Sequence, residues 1–117
     1  MSSPIVDRNG MSFHDQTVHI RDRSLLLAHP LIDVARIKGG IAVIFDYTSL
    51  PKEECSANLF AFDENGETLW RAVALDFPAS AYVKFIRSSP LTVWNFACFM
   101  CTINIADGTL VGTEFTK

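Results

Sequence analysis

Asn58-Leu-Phe-Ala-Phe-Asp-Glu-Asn-Gly-Glu-Thr-Leu-Trp70 decides the fold class. Asn58, Phe60 and Phe62 alternate with Leu59 and Ala61, which is the period-two spacing of a strand. Asp63-Glu64-Asn65-Gly66 suits a type I turn closed by a left-handed glycine, a common short hairpin connection. The return segment alternates again, with Leu69, Arg71 and Val73 set against Trp70, Ala72 and Ala74. A weaker version closes the chain, with Ala106-Asp107-Gly108 as the turn and Thr109 to Phe115 as the last strand. These hairpins predict an all-β protein.

Working upstream, Leu31 to Lys38 and Ile41 to Asp46 flank Gly39-Gly40, a dipeptide that tolerates the positive φ of two-residue turns. The second of these segments is apolar on both faces, the mark of a central strand. Thr17 to Arg21 and Leu25 to Ala28 form a further pair around the charged turn Arg21-Asp22-Arg23-Ser24. Residues 1–12 are polar, with Pro4 and Gly10, and are expected to be a flexible arm before a single β domain at 13–117. Tyr47 to Ala57 is a polar loop with Pro51 and room for one helical turn at Ser49 to Glu54.

Downstream, Asp76-Phe77-Pro78-Ala79 breaks the pattern, and Ala81 to Arg87 reads as strand from its β-branched and aromatic residues. Leu91 to Ile105 is almost wholly apolar and would extend about 50 Å as one strand. A domain of this length has a radius of gyration of about 13 Å, so the segment must turn back. Asn95 is the expected bend, because Asn tolerates left-handed geometry. The sum is a single-domain antiparallel meander of about eight to ten short strands, closed as a barrel or folded as a sandwich.

At 117 residues the chain can hide roughly 65% of its unfolded surface without staples. The net charge of −3 is spread evenly: residues 1–58 carry six Lys/Arg against seven Asp/Glu, and residues 59–117 four against six. With no basic stripe to neutralise phosphates, nucleic acid is not an expected partner. No apolar run approaches the ~20 residues of a membrane helix, and the N-terminus lacks a secretory pattern. A cytoplasmic protein without a membrane partner is expected.

Cys98-Phe-Met-Cys101 has the spacing of redox and zinc sites, but Thr102 to Ile105 looks like strand, not the helix a redox motif needs. Residues three apart on a strand point to opposite faces, about 10 Å apart, beyond disulfide reach. Cys55 and a scattered His make a poor second zinc pair, so core cysteines and no metal site are expected. His14, His19 and His29 match no metal spacing. Asp63 to Glu67 has its glycine one position too early for a calcium loop. No nucleophile elbow or phosphate cradle occurs, so no catalytic residue and no cofactor is expected.

The stretch Phe60-Ala-Phe-Asp63, Gly66 and Leu69-Trp70 resembles the repeat of quinoprotein-type β-propellers, and Ala106 to Gly108 resembles a degenerate copy with Gly112 at the Trp position. A propeller needs at least four blades of about 40 residues, so a closed propeller in this chain is excluded by length. Asp46-Tyr47, Pro51, the Asn58 to Trp70 hairpin and the terminal Phe115-Thr-Lys117 also resemble a family of small uncharacterised bacterial proteins, over roughly residues 31–117. In that family the stretch matching Asn95 to Cys98 is an Asn-Trp-Asp-Gly turn; here the glycine is replaced by Cys98. The resemblance implies no activity.

The functional expectation is a non-catalytic module that binds another protein, of immunity type or as a homodimer, through a strand edge or an aromatic patch. Tyr47, Trp70 and Trp94 are the candidate binding residues, since Trp and Tyr anchor interfaces. Two alternatives stand beside it. One is a small-ligand β-barrel lined by Tyr82, Trp94 and Phe96; the other is a hydrolase-like enzyme using Asp46 with a neighbouring Glu or His.

Overall fold

The structure is a computed structural model that describes residues 5–6, 11–20, 23–72, 74 and 80–115. Among these, twelve strands form three four-stranded antiparallel sheets, each running in chain order. The first sheet holds β1 (Ile5–Val6), β2 (Met11–His14), β3 (Thr17–Ile20) and β4 (Arg23–Leu26). The second holds β5 (Leu31–Ile37), β6 (Gly40–Phe45), β7 (Leu59–Phe62) and β8 (Thr68–Arg71). The third holds β9 (Tyr82–Ser88), β10 (Leu91–Asn95), β11 (Phe99–Ile103) and β12 (Leu110–Phe115). The meander expectation holds, and no sheet closes on itself as a barrel or joins the others as a closed propeller among the described residues.

The strand count exceeds the expected eight to ten because pairing starts earlier. Most of the expected arm (residues 1–4 and 7–10) lies outside the described residues, but Ile5–Val6 pair with Ser12 and Phe13 of β2. The turn between β2 and β3 uses Asp15 at φ 55° in place of glycine, so no turn signal announced it. The expected turn at Arg21 and the break at Asp76 to Ala79 also fall, wholly or in part, outside the described residues.

The deciding hairpin is built as its residues suggest. Gly66 sits at φ 86°, its N–H donates to the Asp63 carbonyl at 3.1 Å, and Asp63 Oδ1 accepts from the N–H groups of Asn65 (2.8 Å) and Glu67 (3.0 Å). The apolar run from Leu91 turns at Asn95–Cys98, and residues 82–88 are strand.

The second sheet lies between the other two. Along β6, Ile41, Val43 and Phe45 join a core with Met11, Phe13, Val18 and Leu31, whereas Ala42 and Ile44 join a second core with Tyr82, Leu91, Val93 and Cys101. All six residues of β6 are buried, which is why the segment reads as a continuous apolar run. Each fully buried Val or Ile stabilises by roughly 1.5–3 kcal/mol relative to exposure. Gly40, at the head of β6, is also required: a Cβ there would run into the Phe62 carbonyl.

Three polar side chains tie the second and third sheets. Asn58 is fully buried; its Nδ2 donates to the carbonyls of Phe45 and Tyr82, both at 2.8 Å, and its Oδ1 accepts from Tyr82 N–H at 2.9 Å. Asp33 Oδ2 accepts from Phe85 N–H at 2.8 Å, across to β9. Trp70 Nε1 donates to the Ile105 carbonyl at 2.7 Å, reaching the β11–β12 turn. Buried polar groups cost stability unless bonded, so these contacts fix one sliding position of sheet on sheet.

Candidate functional site

Of Tyr47, Trp70 and Trp94, the structure brings two together. Asp46 Oδ1 accepts from the N–H (3.0 Å) and hydroxyl (2.7 Å) of Thr48, capping a single 3-10 turn at Tyr47–Ser49 directly after β6. The Tyr47 ring then meets Phe96 edge-on, with centroids 5.3 Å apart at 81°. Phe96 meets Trp94 at 5.9 Å and 70°. Edge-to-face geometry is the favourable arrangement of ring quadrupoles. Tyr47, Phe96 and Trp94 thus form one chain of rings, with Phe96 44% exposed at its middle.

Trp70 is elsewhere and has another task. It is 7% exposed in the core between the second and third sheets, and Gly108 lies against its ring, where a Cβ would stand 2.6 Å from Cε3. Its polar edge serves the bond to Ile105. Trp70 is a structural joint, not a part of the aromatic chain.

The aromatic chain sits at one end of the outer face of the third sheet. The register Arg87–Thr92–Thr102–Gly112 forms one row across β9, β10, β11 and β12, and Lys84–Trp94–Met100–Glu114 forms the next. Their neighbours Tyr82, Phe85, Leu91, Val93, Cys101 and Ile103 belong to the inner core. Arg87, Thr92, Met100, Thr102, Gly112 and Glu114 line a trough of about 270 Å³ that is open to solvent. Enclosing ligand pockets run from about 300 to 1,000 Å³, so this is a shallow surface feature. The far face of the stack is mixed: Ser12, His14, Thr17, His19 and Ser24 on the outer side of the first sheet are polar, but Leu26 completes the His14–Thr17 row and is 78% exposed.

The other candidate groups do not converge. Because the sheets do not close, Tyr82 lies in the inner core while Trp94 and Phe96 lie outside, so the expected barrel lining is split across the third sheet. The Asp46 carboxylate is engaged in capping. His29 meets Phe45 edge-on at 5.4 Å, His19 Nδ1 lies 2.9 Å from the Ser24 hydroxyl, and His14 is exposed at the β2–β3 turn. No disulfide joins the cysteines, and of the three expected in the core only Cys101 is buried, Cys55 and Cys98 being half-buried. Cys101 is buried in β11, and burial pushes its thiol up to about 11, which disfavours the nucleophilic thiolate. Among the described residues no three His, Cys, Asp or Glu side chains cluster as a metal site.

The polar loop after Tyr47 is fastened by Arg71. Its Nε donates to the Ala57 carbonyl at 2.8 Å, its Nη2 lies 3.2 Å from Glu54 Oε1, and its guanidinium stands 4.7 Å over the Phe60 ring. The loop therefore presents Tyr47 from a tethered base. Lys84, Met100 and Glu114 were not among the sequence-predicted site residues. Alternation places Trp94 on an outer face, but β9 carries two register shifts opposite β10, so the residues flanking Trp94 cannot be counted off by twos.

Residues 9–115 match the model of a family described as a domain of unknown function, DUF7957. No curated protein matches the chain.

Proposed function

Since the chain belongs to the DUF7957 family, a domain of unknown function, its role has to be read from its own surface, and we propose that it is a non-catalytic protein-binding module. Its binding surface is the outer face of the third sheet with the rings of Tyr47, Phe96 and Trp94 as anchors. The observation that carries this reading is Phe96, 44% exposed yet fixed between two aromatic rings. Rings locked by neighbours lose little freedom on binding, which is what makes aromatic residues interface anchors. The two ring contacts hold Phe96 in place, and its exposed part is apolar surface that a partner can cover.

Photo-crosslinking tests it. With p-benzoylphenylalanine in place of Phe96, irradiation in cells should give a discrete crosslinked protein, and Trp94→Ala should lower the yield at least about tenfold, as expected for an anchor worth roughly 1.4 kcal/mol or more. The same probe at Glu64, exposed in the polar β7–β8 turn at the opposite end of the second sheet from Tyr47, should give none. Equal, diffuse yields at the two positions would remove the proposal.

A further inference from the structure

We propose that the partner of this face is a second copy of the chain, docked face to face about a two-fold axis that runs parallel to the strands. The inference rests on the binding reading above and names its occupant. The row Lys84–Trp94–Met100–Glu114 runs from cation through aromatic and thioether to anion, from β9 to β12. A two-fold turn about an axis parallel to the strands keeps height along them and reverses their order. It sets β9 over β12 of the second copy and β10 over β11. Lys84 then faces Glu114 of the second copy, and Trp94 faces its Met100, each twice by symmetry. Opposite charges and sulfur–aromatic contacts are both attractive. In the neighbouring row Thr92 is only 6% exposed and its hydroxyl donates to the Pro90 carbonyl at 3.0 Å, so the contact there falls to Arg87, which faces Gly112, whose missing side chain leaves the trough open for the guanidinium.

The alternative axis, in the same plane but perpendicular to the strands, is disfavoured by charge. It keeps strand order and exchanges the two rows, bringing Lys84 over Arg87 of the second copy. The face is thus self-complementary in one orientation and repulsive in the other. Four strands spaced about 4.8 Å apart and about five residues long give a flat area of roughly 300–400 Å². That is below the ~800 Å² per partner of a standard interface, so the dimer is weak, with a dissociation constant on the order of 100 µM.

Sedimentation equilibrium on the full chain from about 10 µM to 1 mM, a range that brackets that constant, should show a reversible monomer–dimer equilibrium. Lys84→Glu and Glu114→Lys should each weaken self-association at least tenfold. Mixed one to one, the two variants should associate, because the two altered side chains then face each other with opposite charge and the two native ones do the same, and the double variant should dimerise like the wild type. Lys84 and Glu114 are separated by two strands within one molecule, so restoration on mixing reports contact between molecules. A wild-type monomer at the highest concentration overturns the proposal, and so does a dimer indifferent to both substitutions, which would indicate pairing along the β12 edge. Single variants that stay monomeric on mixing overturn it as well. The Phe96 crosslink separates this failure from that of the binding reading. A self-crosslinked peptide supports the second copy, a different protein overturns it while sparing the module, and no discrete product removes both.

Discussion

At the scale of single residues, the turn between β10 and β11 shows what a side chain can cost. Asn95 was expected to take the left-handed position, but it serves through its side chain, Oδ1 accepting from Ala97 N–H at 2.9 Å. The left-handed residue is Cys98, at φ 68°, three places on. Gly66 takes the same left-handed region at φ 86° in the β7–β8 turn. A Cβ in this region clashes with the following backbone, at a cost of roughly 1 kcal/mol, part of which glycine returns as unfolded-state entropy. Cys98→Gly should therefore stabilise the protein by about 0.5–1 kcal/mol. The urea midpoint should rise with an unchanged slope, and a lower midpoint would show that the Cys98 side chain contributes more than its backbone costs.

At the scale of elements, legibility followed the turns. The β5–β6, β7–β8 and β11–β12 hairpins were readable because Gly39, Gly66 and Gly108 stand at positive φ where only glycine is relaxed. The β7–β8 and β11–β12 hairpins are the third and fourth strands of their sheets, so the sequence echo between them falls on equivalent structural positions. β1 and β2 were missed, being short and joined to the rest through Asp15. Trp94 and Tyr47 were legible as candidates from chemistry alone, whereas their joining through Phe96 depends on how the loop after β6 meets a turn about 50 residues away, which no local pattern encodes. Asn58 is a long-range element of the same kind, holding β6 and β9 with three hydrogen bonds from one buried side chain. Asn58→Asp keeps the acceptor for Tyr82 N–H but loses both donors, aiming a carboxylate at two carbonyls. The cost at neutral pH should be about 3–5 kcal/mol, as for an uncompensated buried charge. Burial and the carbonyls must raise the folded pKa of that carboxyl above its unfolded value of about 3.9. Below that value both states are protonated and the penalty is smallest; as pH rises the unfolded chain ionises first and stability falls. Urea midpoints of variant and wild type should diverge between about pH 4 and 7. A constant gap would show that the carboxylate is relieved by water or by movement of the loop.

At the scale of the whole molecule, the question is whether three stacked sheets behave as one unit or three. Each sheet is an open meander of four strands consecutive in the chain, and local pairing alone would let the sheets open independently. The second sheet works against that, because β6 contributes alternately to both cores: Val43 to the one shared with the first sheet, Ile44 to the one shared with the third. A hole made on either side loosens the same six-residue strand, whose hydrogen bonds to β5 and β7 are common to both interfaces. Val43→Ala and Ile44→Ala should each cost about 2–4 kcal/mol, from lost transfer energy and the cavity left behind. The informative readout is where that loss appears. If the cores are coupled, amide exchange should accelerate by the same factor at Val18 in the first sheet and at Val93 in the third, for either substitution, and both should track the fall in global stability from urea unfolding. If Val43→Ala speeds exchange at Val18 and leaves Val93 protected, the first sheet opens on its own. Such opening would leave the third sheet and its outer face intact, so the binding surface would outlast the loss of the first sheet. Coupled exchange instead ties that surface to the cohesion of the whole stack, through adjacent side chains on a single strand.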